Sequence, residues 1–223
     1  MRTVMIELTP SVVEGMPKNG PTDPIEFYRR PLVGWLFRER INLGLRLLPA
    51  RRFGKGLEIG YGAGALQLVM APSVDELHGI DLDADPAIAE GLLARRGQRA
   101  RLVRGSVYEL PYEDATFDLA FCFSVFEHLH EYPKALGEVA RVLAPGGLFL
   151  LGMPAVNMAM EVAFRAIGFK GIEDHHVTTP AAVARAFDGA GLRVLSTANL
   201  DFPPRAPITM RLYSNWLLEK PAR

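Results

Sequence analysis

Gly60, Gly62 and Gly64, in the segment "LEIGYGAGA" (57–65), are the first positions in this sequence that could do chemistry. Glycine is costly to order, so a cluster marks a tight turn or a close approach to something bound. Between a strand and a helix, such a turn aims backbone N–H groups at a ligand above the sheet edge. Asp81 ends the run "ELHGIDL" about 20 residues later, where an acid that grips ribose hydroxyls belongs. His128 lies just beyond "FDLAFCFS", and imidazole is the side chain that titrates near neutral pH. It could position an acceptor or remove a proton, or simply pack on a cofactor or cap the next helix. His175 and His176 stand beside Glu173 and Asp174, as an acceptor pocket or a polar loop would. No further ligand at metal-binding spacing is evident around them, so no metal is expected. Cys122 is the single cysteine, lies in an apolar run with no proline before it, and reads as a buried inert thiol.

Alternating elements must hold these groups. "GLEIG" reads as a buried strand and "AGALQLVMA" as a helix opening on the glycines. "ELHGIDL" is a second strand, followed by the helix "PAIAEGLLARRG"; "ARLVRGS" and "FDLAFCFS" are strands three and four. The helix "YPKALGEVARVL" and a fifth strand "GGLFLLGMP" follow. A helix and strand in "TPAAVARAFDGAGLRVLSTANL" and a final strand in "ITMRLYSNWLLEK" complete seven strands. Strands alternating with ten-residue helices imply parallel crossovers and an open α/β sheet covered on both faces. Before this pattern, residues 1 to 24 carry Pro10, Pro17, Pro21 and Pro24 and read as an extended lead-in. Helical spacing from Ile25 to Leu48, interrupted at Pro31, gives one or two helices. The expected division is therefore an N-terminal extension and helical lid over 1–50 and one domain over 51–223, with an insert near 155–172.

The 223 residues suit one domain, and 49% hydrophobic with 22% charged residues places them among globular chains with a proper core. Lys plus Arg and Asp plus Glu balance at 25 each, so no global field draws nucleic acid or anionic lipid. The basic residues from Arg29 to Lys55 face only Glu39, but a solvated helix face explains such a run, and no nucleic-acid partner is expected. "LFLLGMPAVNMAM" is broken by Pro154 and Asn157 and falls short of the roughly 20 residues that cross a bilayer, so no membrane span is expected. "MRTVMIELTP" has no basic region followed by a long apolar stretch, so no secretory signal and a reducing, cytoplasmic setting are expected.

Which nucleoside the glycines serve needs more than the motif, because "GYGAGA" also fits the dinucleotide pattern G-x-G-x-x-A. Against NAD stand the fifty residues ahead of the motif, the lack of a Tyr-x-x-x-Lys pair, and Glu58, two positions before Gly60. From Leu57 to Pro154 the chain resembles the class I S-adenosylmethionine-dependent methyltransferases, in their small-molecule branch. "LEIGYGAG" is similar to that family's first motif and "GIDLD" to its ribose-binding strand end. "RGSVYELPYEDATFDLAFCFSVFEHL" is similar to its adenine-binding turn and fourth strand, and "ARVLAPGGLFLLGMP" to its entry to strand five.

The resemblance implies a Rossmann-like open sheet of seven strands, mostly parallel with the last strand antiparallel, S-adenosylmethionine as cofactor and a small-molecule methyl acceptor. It implies that Gly60, Tyr61, Gly62 and Gly64 cradle the methionine part, and that Glu58 meets its ammonium or fixes the loop. It assigns the ribose to Asp81, adenine packing to Leu82, the adenine edge to Ser106 and Val107, and an ammonium contact to backbone near Cys122 and Phe123. Ser106 stands where the family usually has aspartate, and bulky Tyr61 is expected to narrow the pocket. On the acceptor side, His128 is the catalytic candidate, with Tyr28, Met158, His175 and His176 as pocket candidates. Methyl transfer from a sulfonium is an in-line displacement, so alignment and desolvation dominate and a base serves only a protonated acceptor.

Overall fold

The computed structural model describes residues 7–155, 176–202 and 209–222. At its centre lies one seven-stranded sheet in the order β3-β2-β1-β4-β5-β7-β6. Its strands are β1 (Phe53–Ile59), β2 (Val74–Asp81), β3 (Arg101–Arg104), β4 (Phe117–Phe123), β5 (Leu143–Pro154), β6 (Arg193–Phe202) and β7 (Met210–Glu219). β1 pairs in parallel with β2 and β4, β2 with β3, and β4 with β5. β7 runs antiparallel to both β5 and β6. The Rossmann-like sheet read from the sequence is therefore present, with its last strand reversed. Chain direction of winding changes between β1 and β4, and ligands in such sheets lie beyond the carboxyl ends of the strands at that point.

The parallel strands read as apolar runs because helices cover both faces. On one face, Phe121 and Leu150 pack with Phe37 and Ile41 of α3 (Pro31–Leu45) and Val69 of α4 (Ala65–Met70). On the other, Ala120, Phe149 and Leu151 meet Leu136 and Val139 of α6 (Tyr132–Val142) and Val183 of α7 (Pro180–Ala186). Burying each such aliphatic side chain contributes about 1.5–3 kcal/mol before chain entropy is counted. Helix boundaries follow local chemistry. α5 (Pro86–Arg95) starts at Asp85, whose side chain accepts the Ala87 N–H, with Pro86 in its first turn. α7 starts likewise at Thr179, which accepts the Ala182 N–H.

The lead-in departs from the expected loose extension. Residues 10–13 form a short helix, α1 (Pro10–Val13), and Leu8, Val13 and Met16 are buried. The Leu8 N–H donates to Asn42 Oδ1, and Asn42 Nδ2 donates back to the Leu8 carbonyl. The prolines hid this because scattered apolar anchors without a period give no helical or strand signal. α2 (Ile25–Arg29) and α3 break at Pro31 as expected. α3 lies against β5, β6 and β7, so it is part of the sheet's cover. The expected insert at 155–172, Met158 and His175 fall outside the described residues apart from Ala155.

Candidate functional site

The glycine turn is built by backbone that only glycine adopts easily. Gly60, Gly62 and Gly64 have φ of 82°, 49° and 85°, in the left-handed region. A Cβ on Gly60 would come within 2.4 Å of Val125 Cγ2, so that turn excludes side chains by contact as well as by strain. The Gly60 N–H donates to the Ile80 carbonyl at 2.8 Å and the Gly62 N–H to Asp81 Oδ2 at 2.9 Å. The loop after β1 is thereby fixed to the acid at the end of β2. Asp81 Oδ1 accepts the Asp83 and Ala84 N–H groups, both at 2.9 Å, while among the described residues Oδ2 accepts only Gly62, which leaves a lone pair for a ligand hydroxyl.

Beside it, Leu82 is 64% exposed, a large apolar side chain left open next to the acid. Across from it, the Gly105 N–H donates to the Asp81 carbonyl, which draws the Ser106–Val107 turn to the same edge. Ser106 Oγ accepts the Tyr108 N–H at 3.2 Å, so its hydroxyl is already used in closing that turn. Val107 is buried. β4 ends where Ser124 takes φ of 58°, a left-handed conformation unusual for serine and typical of functional turns. Cys122 is fully buried, and burial pushes its thiol well up, which fits the inert reading. The Phe123 ring packs against Gly44 and Gly152, so of these two residues only backbone reaches the rim.

Tyr61 corrects one expectation. Its ring is buried with Ala84, Ala89, Leu93 and Leu102 under the β2–α5 connection, and its hydroxyl reaches the Ala84 carbonyl. It does not narrow the crevice. Glu58 is buried at the end of β1, with Gln67 as its side-chain hydrogen-bond partner. Its Oε2 has no hydrogen-bond partner among the described residues, and burial raises its carboxyl well above the usual range. A buried acid with a spare oxygen suits a cationic ligand group.

Sequence reasoning missed four contributors. Asn19 Nδ2 donates to the carbonyls of Gly62 (2.8 Å) and Asp85 (3.0 Å), and its Oδ1 accepts the Asp85 N–H (2.9 Å). Asp23 faces Gly62, its Cγ 3.5 Å from where a Cβ would sit, and burial, the leading cause, raises its carboxyl, with Asp81 adding to the rise. Residues 19–23 thus roof the glycine loop with the chain's own atoms, and Leu82 beside Asp81 is exposed. No periodicity announces such a contact; only "NG" and "D-P" turn chemistry hints that the segment is shaped. Asn19→Ala removes three hydrogen bonds and should cost about 2–3 kcal/mol, or roughly 5–10 °C in Tm. A thermal melt reads this directly; an unchanged Tm would mean the roof is not held there.

Arg40 and Glu127 are the other two. The Arg40 guanidinium lies over the rings of Phe37 (4.4 Å), Tyr213 (5.2 Å) and Tyr28 (5.7 Å) and donates to Tyr28 Oη at 3.1 Å. Tyr213 Oη and Ser124 Oγ are 2.9 Å apart, so a polar chain runs from α3 to the rim. Tyr28 joins this chain through its hydroxyl, whereas Arg29 donates to the Val13 carbonyl and turns away. Glu127 is buried beside the exposed His128, in the turn Phe126–His128. Burial pushes the Glu127 carboxyl up to about 8, with Arg40 opposing. The His128 and His176 rings lie 5.1 Å apart.

A parallel core with one reversed strand, a glycine turn after β1 and an acid closing β2 define a Rossmann-like fold of the methyltransferase type. Residues 57–151 match the family described as a methyltransferase domain. The chain is similar to the uncharacterized methyltransferase YcgJ of Bacillus subtilis, 35% identical over 56% of this chain and 50% of that protein. It is similar to the demethylmenaquinone methyltransferase of Thermus thermophilus, 33% identical over 58% of this chain and 61% of that protein. The chain thus spans about half to three fifths of these relatives. Among solved structures, the [4+2]-cyclase SpnF superposes with a TM-score of 0.68 over 97% of this chain and 92% of that one, at 19% identity. No described helix is long and apolar enough to cross a membrane.

Proposed function

We propose that this chain binds S-adenosylmethionine and transfers its methyl group to a small-molecule acceptor. The observation that carries the reading is the Gly62 N–H locked onto Asp81 at the switch point of the sheet, with Leu82 exposed beside it. Asp81 accepts from the ribose hydroxyls, Leu82 packs on adenine, and the Ser106–Val107 turn meets the base edge. Glu58 and the backbone near Cys122 and Phe123 take the ammonium, over the loop of 60–64. When bound, the cofactor supplies a methyl group on a positive sulfur. The chain's own work is then to align an acceptor in line and exclude water, with the N-terminal segment contributing a lid at residues 19–23 through Asn19 and Asp23. His128 holds the acceptor or takes its proton, with Tyr28 and His176 near the same rim. Two relatives named as methyltransferases support transfer, and one of them carries a quinone precursor in its name. A reducing cytoplasmic setting fits the single buried thiol.

Because a cyclase shares this fold, cofactor binding alone does not establish transfer. Calorimetry with S-adenosylhomocysteine should give binding in the micromolar range, and NAD should give none. Labelled methyl from S-adenosylmethionine should then appear on a member of a panel of quinols, phenols and carboxylic acids. Absent binding removes the whole reading. Binding without transfer to any class of acceptor would leave a cofactor-binding protein of other chemistry.

A further inference from the structure

Among the described residues, Glu127, His128 and His176 each offer a ligand atom, and all three atoms lie within 4.8 Å of one another. No spacing in the sequence announces this set, because His176 comes from the far side of the segment after β5. Backbone bonds bring it in: the Val177 and Thr178 N–H groups donate to the Glu127 carbonyl at 2.8 and 3.1 Å. Thr178 Oγ1 donates to the Leu129 carbonyl at 2.7 Å, which fixes the 176–178 segment along the turn carrying the other two. We propose that these three side chains form a binding site for a divalent ion of the zinc class, with a coordination position left open on the exposed side.

The donor set is one carboxylate oxygen and two imidazole nitrogens, which hold zinc in sites that keep a place for water or substrate. At metal–ligand distances near 2.0–2.2 Å, tetrahedral ligand atoms stand about 3.3–3.5 Å apart. Glu127 Oε1 and His128 Nε2 are 3.9 Å apart, so small side-chain rotations close that gap. The second observation is the acid itself. Glu127 is buried, and its Oε2 has no hydrogen-bond partner among the described residues. Such an oxygen costs free energy unless a cation or donor meets it. Arg40 is the cation acting on Glu127, so a bound ion shares that charge with the guanidinium. His128 is exposed and His176 half-buried, which leaves the ion an entry path.

Ion binding stands independently of the methyl-transfer reading; a role for the ion on the acceptor rests on that reading. An acceptor hydroxyl in the open position would be acidified, its proton leaving to water and its oxygen held at the rim.

The test uses the full chain after chelation, titrated with Co²⁺ by visible absorption and with Zn²⁺ by calorimetry, with S-adenosylhomocysteine affinity measured in parallel. One ion per chain at micromolar or tighter affinity is expected, with tetrahedral Co²⁺ bands. His128→Ala and His176→Ala should each weaken it about 10-fold or more, with Tm unchanged. Mg²⁺, which prefers oxygen ligands, should not compete. Absent Zn²⁺ and Co²⁺ binding, or binding that both alanine variants leave intact, overturns the site. If the ion binds but S-adenosylhomocysteine does not, the site stands and the methyl-transfer reading fails; the opposite pattern sinks the site alone.

Discussion

Asp81→Ala is expected to weaken S-adenosylhomocysteine binding about 10- to 100-fold. A charge-assisted hydrogen bond from a ribose hydroxyl to the remaining lone pair, at about 1.5–3 kcal/mol, would be lost. The free protein should suffer too, since the carboxylate accepts N–H groups from Gly62, Asp83 and Ala84. Gly62 and Asp83 are partly exposed, so their N–H groups can turn to water, whereas Ala84 is buried and its N–H carries most of the folding cost. A drop of a few degrees in Tm is expected, at roughly 2–4 °C per kcal/mol for a chain of this size. Asp81→Asn separates the two effects: its remaining oxygen still accepts from the loop, but its charge and paired acceptors are gone. That variant should melt near the parent and still bind at least about 10-fold more weakly. Calorimetry giving an affinity within threefold of the parent for both variants would place the nucleoside elsewhere.

What made the sheet legible from sequence was its burial on both faces. "FDLAFCFS" and "GGLFLLGMP" are apolar without alternation because α3 and α4 cover one side and α6 and α7 the other. The glycine turn was legible because three left-handed φ values in one loop demand glycine, whatever the ligand. Tyr61 shows the limit. Its type and place suggested a bulky wall, but the ring turns under the β2–α5 connection, where Gly79 leaves it space. Rotamer choice depends on a neighbour eighteen residues on, which local pattern does not carry.

The lead-in and the acceptor side failed to show for a different reason. Asn19 reaches Asp85 by hydrogen bonds, and the Val177 and Thr178 N–H groups donate to the Glu127 carbonyl to bring the His176 ring beside His128, across long stretches of chain that leave no periodic trace. Arg40 looked like part of a solvated basic face; instead three aromatic rings enclose it. A long aliphatic stem and a planar head let arginine be buried against rings while its charge is shared with hydroxyls. Charge runs on a helix read as solvent-facing only when the partner elements are unknown, and here β7 supplied the missing partner through the Tyr213 ring.

Glu58→Gln gives the second large effect and sorts ligand chemistry from architecture. Burial raises the Glu58 carboxyl well above its ordinary 4.5, with a Gln67 hydrogen bond only partly opposing and Asp81 adding to the rise. The sign follows from linkage. A carboxyl raised in the folded state favours folding in its protonated form, so its contribution is full below the unfolded pKa and is lost as pH rises. The parent should therefore lose stability relative to Glu58→Gln as pH climbs from about 5 to 8. At pH 8 the variant should melt at or above the parent. Its affinity for S-adenosylhomocysteine should fall about 10-fold or more, because an amide does not match a carboxylate facing an ammonium. A purely structural Glu58 would give the same pH dependence of the melts with unchanged affinity, so the affinity decides between the two. Paired melts and titrations across that pH range distinguish the two, and only the first outcome leaves Glu58 in contact with the cofactor's cationic end.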